Sequence, residues 1–283
     1  MPADLKQQYQ ALKKLAAKDL RSKQVADLVL EMAKQARRIL ATCELADLSS
    51  PRVPGKSYFG FSGGKESRPV NTDLYIHSQD DFEGMADSLL GTMSGFGPSD
   101  ITRITYTIAT SVFAAHDVSD VGRKASATFF EILIAHLVAR VIEVSPRKKV
   151  KLPETGAELT TDYVFDPGKK RKKIHLPLKT STRERAVQAW VHQLILDRIF
   201  GDDVYRGVLV ISGETKLNSK TREVIEICVP QTWQTFQARV AKLSRVYYLD
   251  PPDQYLALRT SDPRIDVRPF GEAFTDLKDL LRT

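Results

Sequence analysis

The chain has 283 residues, 42% of them hydrophobic and 27% charged, with a formal net charge of +7. This is the composition of a globular protein with enough apolar material for one large domain, or for a main domain with a smaller one attached, and it excludes a chain too polar to build a core. The basic balance fits a nucleic-acid partner without requiring one, and the two cysteines, Cys43 and Cys228, make no CxxC pair or zinc pattern. The start, MPADLKQQYQ, lacks a basic segment leading into an apolar one, so no signal peptide is expected. Residues 3–46 read as one broken helix or two: Leu5, Tyr9, Leu12, Leu15 and Leu20, then Val25, Leu28, Met32, Ala36 and Leu40, recur at helical spacing. Residues 1–48 are therefore assigned as an N-terminal helical arm, 49–80 as a Pro/Gly-rich linker or hairpin, and 81–283 as the main domain.

Within the linker, SGGKES (Ser62 to Ser67) resembles the phosphate-gripping SGGxDS loop of ATP pyrophosphatases. Such a loop must open a helix so that backbone N–H groups meet the phosphate. Here Pro69 follows almost at once and Glu66 replaces the aspartate, so the stretch is read as a turn between short strands. Helices are expected near 80–92 and from Ser99 to Ala115, with Ser99 and Asp100 as the N-cap of the second. A long helix starts between Val121 and Ala125. Its apolar run, FFEILIAHLVARVI, is interrupted by Glu131, His136 and Arg140 and is too short for a membrane span, so the expected location is cytoplasmic.

After a basic connection, ELTTDYVFD (158–166) and IHLPLK (174–179) read as two strands of a hairpin, joined by the basic turn Lys169, Lys170, Arg171, Lys172 and Lys173. A helix from about 183 to 200 follows, then strands at 205–212 and 222–230, a helix at QTWQTFQARVAKL, a strand at 245–250 and a short C-terminal helix. This order predicts an α/β fold, a mixed central sheet flanked by helices, with the N-terminal helical region attached. The fold class alone does not specify a function.

Three residues stand out for chemistry. Glu131 interrupts an apolar helix, where a carboxylate is costly unless it has a charged partner or a metal; the plainer reading is a solvent-facing edge residue. Asp162 sits inside a β-rich run, which it disfavours unless its side chain has such a task. Lys179 lies 17 positions later, across the hairpin, where strand pairing can bring the two together. Two carboxylates would hold a hard divalent ion, and the lysine would position the attacking water and offset phosphate charge. Directly after it come Arg183, Glu184 and Arg185. Arginine pairs bidentately with guanine and glutamate accepts from cytosine, so the cluster can read G·C pairs; a solvated helix start would explain Glu184 but not two arginines.

These residues resemble the PD-(D/E)xK core of type II restriction endonucleases, and more narrowly the group that cuts sites with a CCGG or CCNGG core. In that group an Arg-(Asp/Glu)-Arg reader begins four residues after the catalytic lysine, as Arg183 does after Lys179. The resemblance covers roughly residues 120–230 and implies a restriction-endonuclease-like fold, with Asp162 and Glu131 as metal ligands and Lys179 as catalytic lysine. It also implies Mg2+ as cofactor, 5′-phosphate products, double-stranded palindromic DNA as partner, and a homodimer or higher homo-oligomer. Lys169 to Lys173 would touch phosphates. Two departures follow. Pro177 stands where the general motif has an acid, and the group's replacement carboxylate, about 13 residues after the lysine, falls on His192 beside Gln193. This implies a one-metal arrangement or a substitute acid, Glu131 or Asp197, with His192 or Gln193 serving the site indirectly. The alternative is a non-catalytic, sequence-specific DNA-binding protein with a degenerate nuclease core.

Overall fold

The structure, a computed structural model, describes residues 3–120, 123–153, 155–168, 171–182 and 186–282. In chain order it begins with helices α1 (Ala3–Lys18) and α2 (Lys23–Leu40), strands β1 (Glu44–Asp47), β2 (Tyr58–Ser62) and β3 (Val70–Asn71), and helices α3 (Gln79–Thr92), α4 (Pro98–Val118) and α5 (Arg123–Ile142). Strands β4 (Pro146–Lys151), β5 (Glu158–Phe165), β6 (Lys173–Leu176) and β7 (Leu178–Lys179) lead to helix α6 (Ala186–Phe200) and strand β8 (Tyr205–Ile211). Then come β9 (Thr215–Leu217), β10 (Val224–Glu226), α7 (Pro230–Arg239), β11 (Leu243–Tyr248), α8 (Asp253–Leu256), α9 (Leu258–Ser261), β12 (Val267–Pro269) and α10 (Ala273–Leu280). The chain divides into two compact units, Met1–His136 with Thr215–Ile227, and Leu137–Glu214 with Cys228–Thr283.

In the first unit, α2 buries Val25, Val29, Met32, Ala33, Ala36 and Leu40, the stripe its helical spacing predicts. Arg37 lies in that stripe and is buried. Its guanidinium donates to the carbonyls of Ile76 and His77 and to Gln79, so the charge is solvated by the protein. The SGGKES stretch is a turn: Ser62 and Glu66 bridge, and the chain returns into β3 without opening a helix. Two expectations are corrected here. The cap of α4 is Gly97, not Ser99 or Asp100, because Pro98 occupies the first helical position, where its fixed φ suits the helix and no N–H is needed. The strand expected over 222–230 shrinks to β10, cut short as Pro230 opens α7, and it pairs only with β9. Its Val224 packs with Leu48, Val53 and Tyr58. Among the described residues α5 alone is long and apolar enough to cross a membrane, but 72% of that stretch is buried, as in a core helix.

The second unit is built on a mixed sheet in the order β12-β11-β8-β6-β5-β4, with β7 also paired to β8. Strand β5 pairs antiparallel with β4 and β6, while β6, β7 and β11 pair parallel with β8, and β12 pairs parallel with β11. The supposed basic connection is the edge strand β4. Its lysines face solvent, a common way to blunt an exposed edge, and Lys148 covers the Tyr163 ring. One core holds Trp190, Leu209, Ile211, Trp233, Val246, Tyr248 and Tyr255; another holds Val150, Val164, Leu196 and Tyr205. The helices flank this sheet as the sequence order predicts.

Candidate active site

The site grows from a break in the sheet. Strand β5 pairs with β6 through Tyr163 with Leu176 and Val164 with His175. The next pair in this register is Asp162 with Pro177, and proline has no N–H to give. The ladder stops there, and the Asp162 carboxylate takes over: Oδ2 accepts the Leu178 N–H at 2.8 Å. The chain resumes as β7, whose Leu178 and Lys179 pair with Val210 and Ile211 of β8. Side chains alternate along a strand, so His175 and Lys179 share the face that carries Asp162 and Val164. Lys179 Nζ donates to Asp162 Oδ2 at 2.9 Å, with the lysine side chain 13% and the aspartate 24% exposed. The hairpin therefore brings together the two residues that the sequence singled out as a pair.

Helix α6 adds a polar chain. Gln193 Nε2 donates to the carbonyl of Tyr205 at 2.7 Å and to Asp197 Oδ1 at 2.8 Å. With both amide hydrogens committed, its Oε1 must accept, so His175 Nδ1, 3.1 Å away, carries the proton. His175 Nε2 is then a buried lone pair with no hydrogen bond among the described residues. Gly207 makes room for this contact, since a Cβ there would lie 2.7 Å from Gln193 Oε1. The His192 ring is 6.0 Å from that of His175. Burial lowers the His192 pKa, an effect that Lys179 reinforces and Asp162 opposes, so the ring is neutral at neutral pH.

Two of the three fully buried histidine rings make a pH prediction. Burial lowers His175 to about 4, partly opposed by the Gln193 bond. Burial likewise lowers His116 of the first unit to about 4, helped by the Arg68 charge. The unfolded chain takes up these protons near pH 6.5 and the native state does not, so the contribution is complete above pH ~6.5 and drains away as pH falls towards 4. Each histidine is expected to cost about 3 kcal/mol over that window. Urea unfolding at pH 7 and 4.5 checks it, and His175→Gln should flatten the dependence; an unchanged slope refutes the assignment.

The other sequence candidates fall as follows. Glu131 lies on α5 in the first unit, half-buried. Asp197, engaged by Gln193, has its pKa raised by burial. Of the basic turn, Lys172 pairs with Asp203 at 3.2 Å and Lys173 with Asp166 at 2.8 Å, while Arg171 is exposed. Lys169 and Lys170, and the candidate base readers Arg183, Glu184 and Arg185, lie outside the described residues. Sequence reasoning missed His175, although it sits two alternations before Lys179 and so on the same face. It also missed Glu214, for which no local signal exists.

For a divalent ion, the fit rests on Asp162. Its Oδ2 is held by Leu178 and Lys179, and its Oδ1 makes no hydrogen bond among the described residues. A carboxylate oxygen is the donor a hard cation takes. No group of three or more metal-ligating side chains occurs among the described residues. Asp162 alone thus offers a carboxylate oxygen that such an ion would take, and His192 brings no negative charge.

No protein-family model and no curated protein matches the chain. Among solved structures, it is similar to the type IIP restriction endonuclease Kpn2I, with a TM-score of 0.83 and 28% identity over 97% of this chain and 96% of that one. The restriction endonuclease PspGI, in complex with its substrate DNA, matches at a TM-score of 0.45 and 16% identity, over 63% of this chain and 79% of that one. The match to Kpn2I spans nearly the full length of both proteins, and the chain has the fold of a type IIP restriction endonuclease.

Proposed function

We propose that the protein is a sequence-specific DNA endonuclease that hydrolyses phosphodiesters within a palindromic site with a CCGG or CCNGG core, leaving 5′-phosphate ends. The observation that carries this reading is the Lys179–Asp162 pair, at 2.9 Å, four residues before Arg183 in a chain of this fold. Asp162 would hold one Mg2+, which when bound supplies Lewis acidity and a water of lowered pKa. Lys179 contributes a fixed positive charge beside that carboxylate, where it can orient the attacking water and offset charge on the phosphate. Glu131 enters as a further ligand by the family resemblance alone. His192, neutral where the group has a carboxylate, favours the one-ion arrangement. Arg183, Glu184 and Arg185 would read the G·C pairs, and a palindrome calls for a two-fold homodimer or a higher assembly of such pairs.

Incubation with plasmid DNA and Mg2+ tests the proposal: discrete fragments are expected, and sequencing their ends gives the site. Specific binding without cleavage would instead favour a DNA-binding protein with a degenerate core, and a smear would refute site specificity.

A further inference from the structure

Glu214 is a carboxylate with no exposed surface, and the catalytic reading gives it no task. It sits just past β8, where the parallel pairing with β7 has ended. The last ladder bond there runs from Ser212 N–H to the Lys179 carbonyl, at 3.0 Å. Three residues beyond Lys179, the Thr182 N–H donates to both carboxylate oxygens of Glu214, at 3.1 Å each, and the Thr182 hydroxyl donates to Oε1 at 2.5 Å. From the opposite side the Tyr248 hydroxyl donates to the same Oε1 at 2.9 Å. Thr182 is itself only 1% exposed. The carboxylate thus extends the sheet by one side-chain rung beyond its last backbone bond. Tyr248 is held in turn by the aromatic stack of Trp233 and Tyr255, whose rings lie 4.2 Å apart.

A buried charge persists only when several donors converge on it, and such charge-assisted bonds are short and directional. The place where this one is spent is informative. Thr182 is the residue immediately before Arg183, so the anchor lies between the lysine of the chemistry and the start of the base reader. We propose that Glu214 is a positioning residue for sequence recognition: it locks Thr182, the residue that leads into the Arg183–Glu184–Arg185 reader in the sequence, to the end of β8. This rests on the endonuclease reading above. On this view the bonds from Thr182 matter for discrimination between sites, while the bond from Tyr248 matters only for stability.

The test compares Thr182→Val with Tyr248→Phe. Each removes one hydroxyl donor from the same carboxylate, but only the first loosens the reader. Cleavage rates are measured with Mg2+ on the plasmid's own site and on sites altered at one base pair, alongside thermal melting. Thr182→Val is expected to lower the ratio of correct to altered sites by about tenfold or more, the worth of one misdirected bidentate base contact. Tyr248→Phe should lower the melting temperature comparably and leave the ratio intact, and Thr182→Ser should restore it. Glu214→Gln is read by the same ratio if Thr182→Val does not fold. A full ratio in Thr182→Val or Glu214→Gln, or an equal loss in Tyr248→Phe, overturns the positioning role alone. A wild-type protein that cleaves no DNA removes the endonuclease reading, and this role with it.

Discussion

Lys179→Ala is expected to abolish DNA cleavage while leaving site-specific binding in place. The lysine side chain is largely buried, and its ammonium group lies 2.9 Å from the carboxylate proposed to hold the metal. Removing a preorganised charge from such a position costs on the order of 10³-fold in rate. The fold should survive, because Asp162 keeps the Leu178 N–H as a partner and retains some access to water. The cost in stability is about 1–3 kcal/mol, the penalty for leaving a partly buried acceptor short of one donor. Lys179→Arg should fail too, since a planar guanidinium cannot place a compact charge at the same point. Single-turnover cleavage, read beside a metal-free gel-shift assay, separates the two functions. Cleavage within tenfold of wild type would exclude Lys179 from the chemistry.

This pair was legible in the sequence because its geometry is local. Two strands joined by a short turn must pair, alternation then decides which residues share a face, and Pro177 marks where the ladder has to stop. The same logic reached the strands β5 and β8 and the long buried helix α5, whose apolar patterns are strong. It failed where burial is weak or partners are remote. Strand β4 carries three exposed residues in a row and one buried valine, so no period-2 signal exists to find. The hydrogen bonds that fix Glu214 come from residues 32 and 34 positions away, a pairing that only the parallel β7–β8–β11 arrangement creates. Gln193 was noticed for its place after a missing acid, yet its structural bonds go to His175, Asp197 and the Tyr205 carbonyl. The neutral His175 ring becomes intelligible only with that amide orientation in hand.

Arg185→Ala is expected to remove specific binding while sparing non-specific affinity for DNA. Two kinds of contact hold such a protein on DNA. Lysines and arginines on phosphates add affinity for any sequence and make it salt-dependent, whereas a bidentate arginine on guanine distinguishes one base pair from the others. Each such contact is worth about 1–3 kcal/mol, and a two-fold assembly on a palindrome loses it in both halves at once, so about 2–6 kcal/mol of discrimination disappears. The substitution falls three residues beyond Thr182, whose bonds to Glu214 are untouched, so Lys179 and Asp162 should stay in place. The loss of specificity should therefore come without loss of folding, which thermal melting can verify. Gel-shift titrations on the cognate duplex and on one with the G·C core scrambled should converge to the same salt-dependent affinity for the variant. If the variant still prefers its own site as strongly as wild type does, Arg185 does not read bases, and the specificity of this protein is carried by other residues.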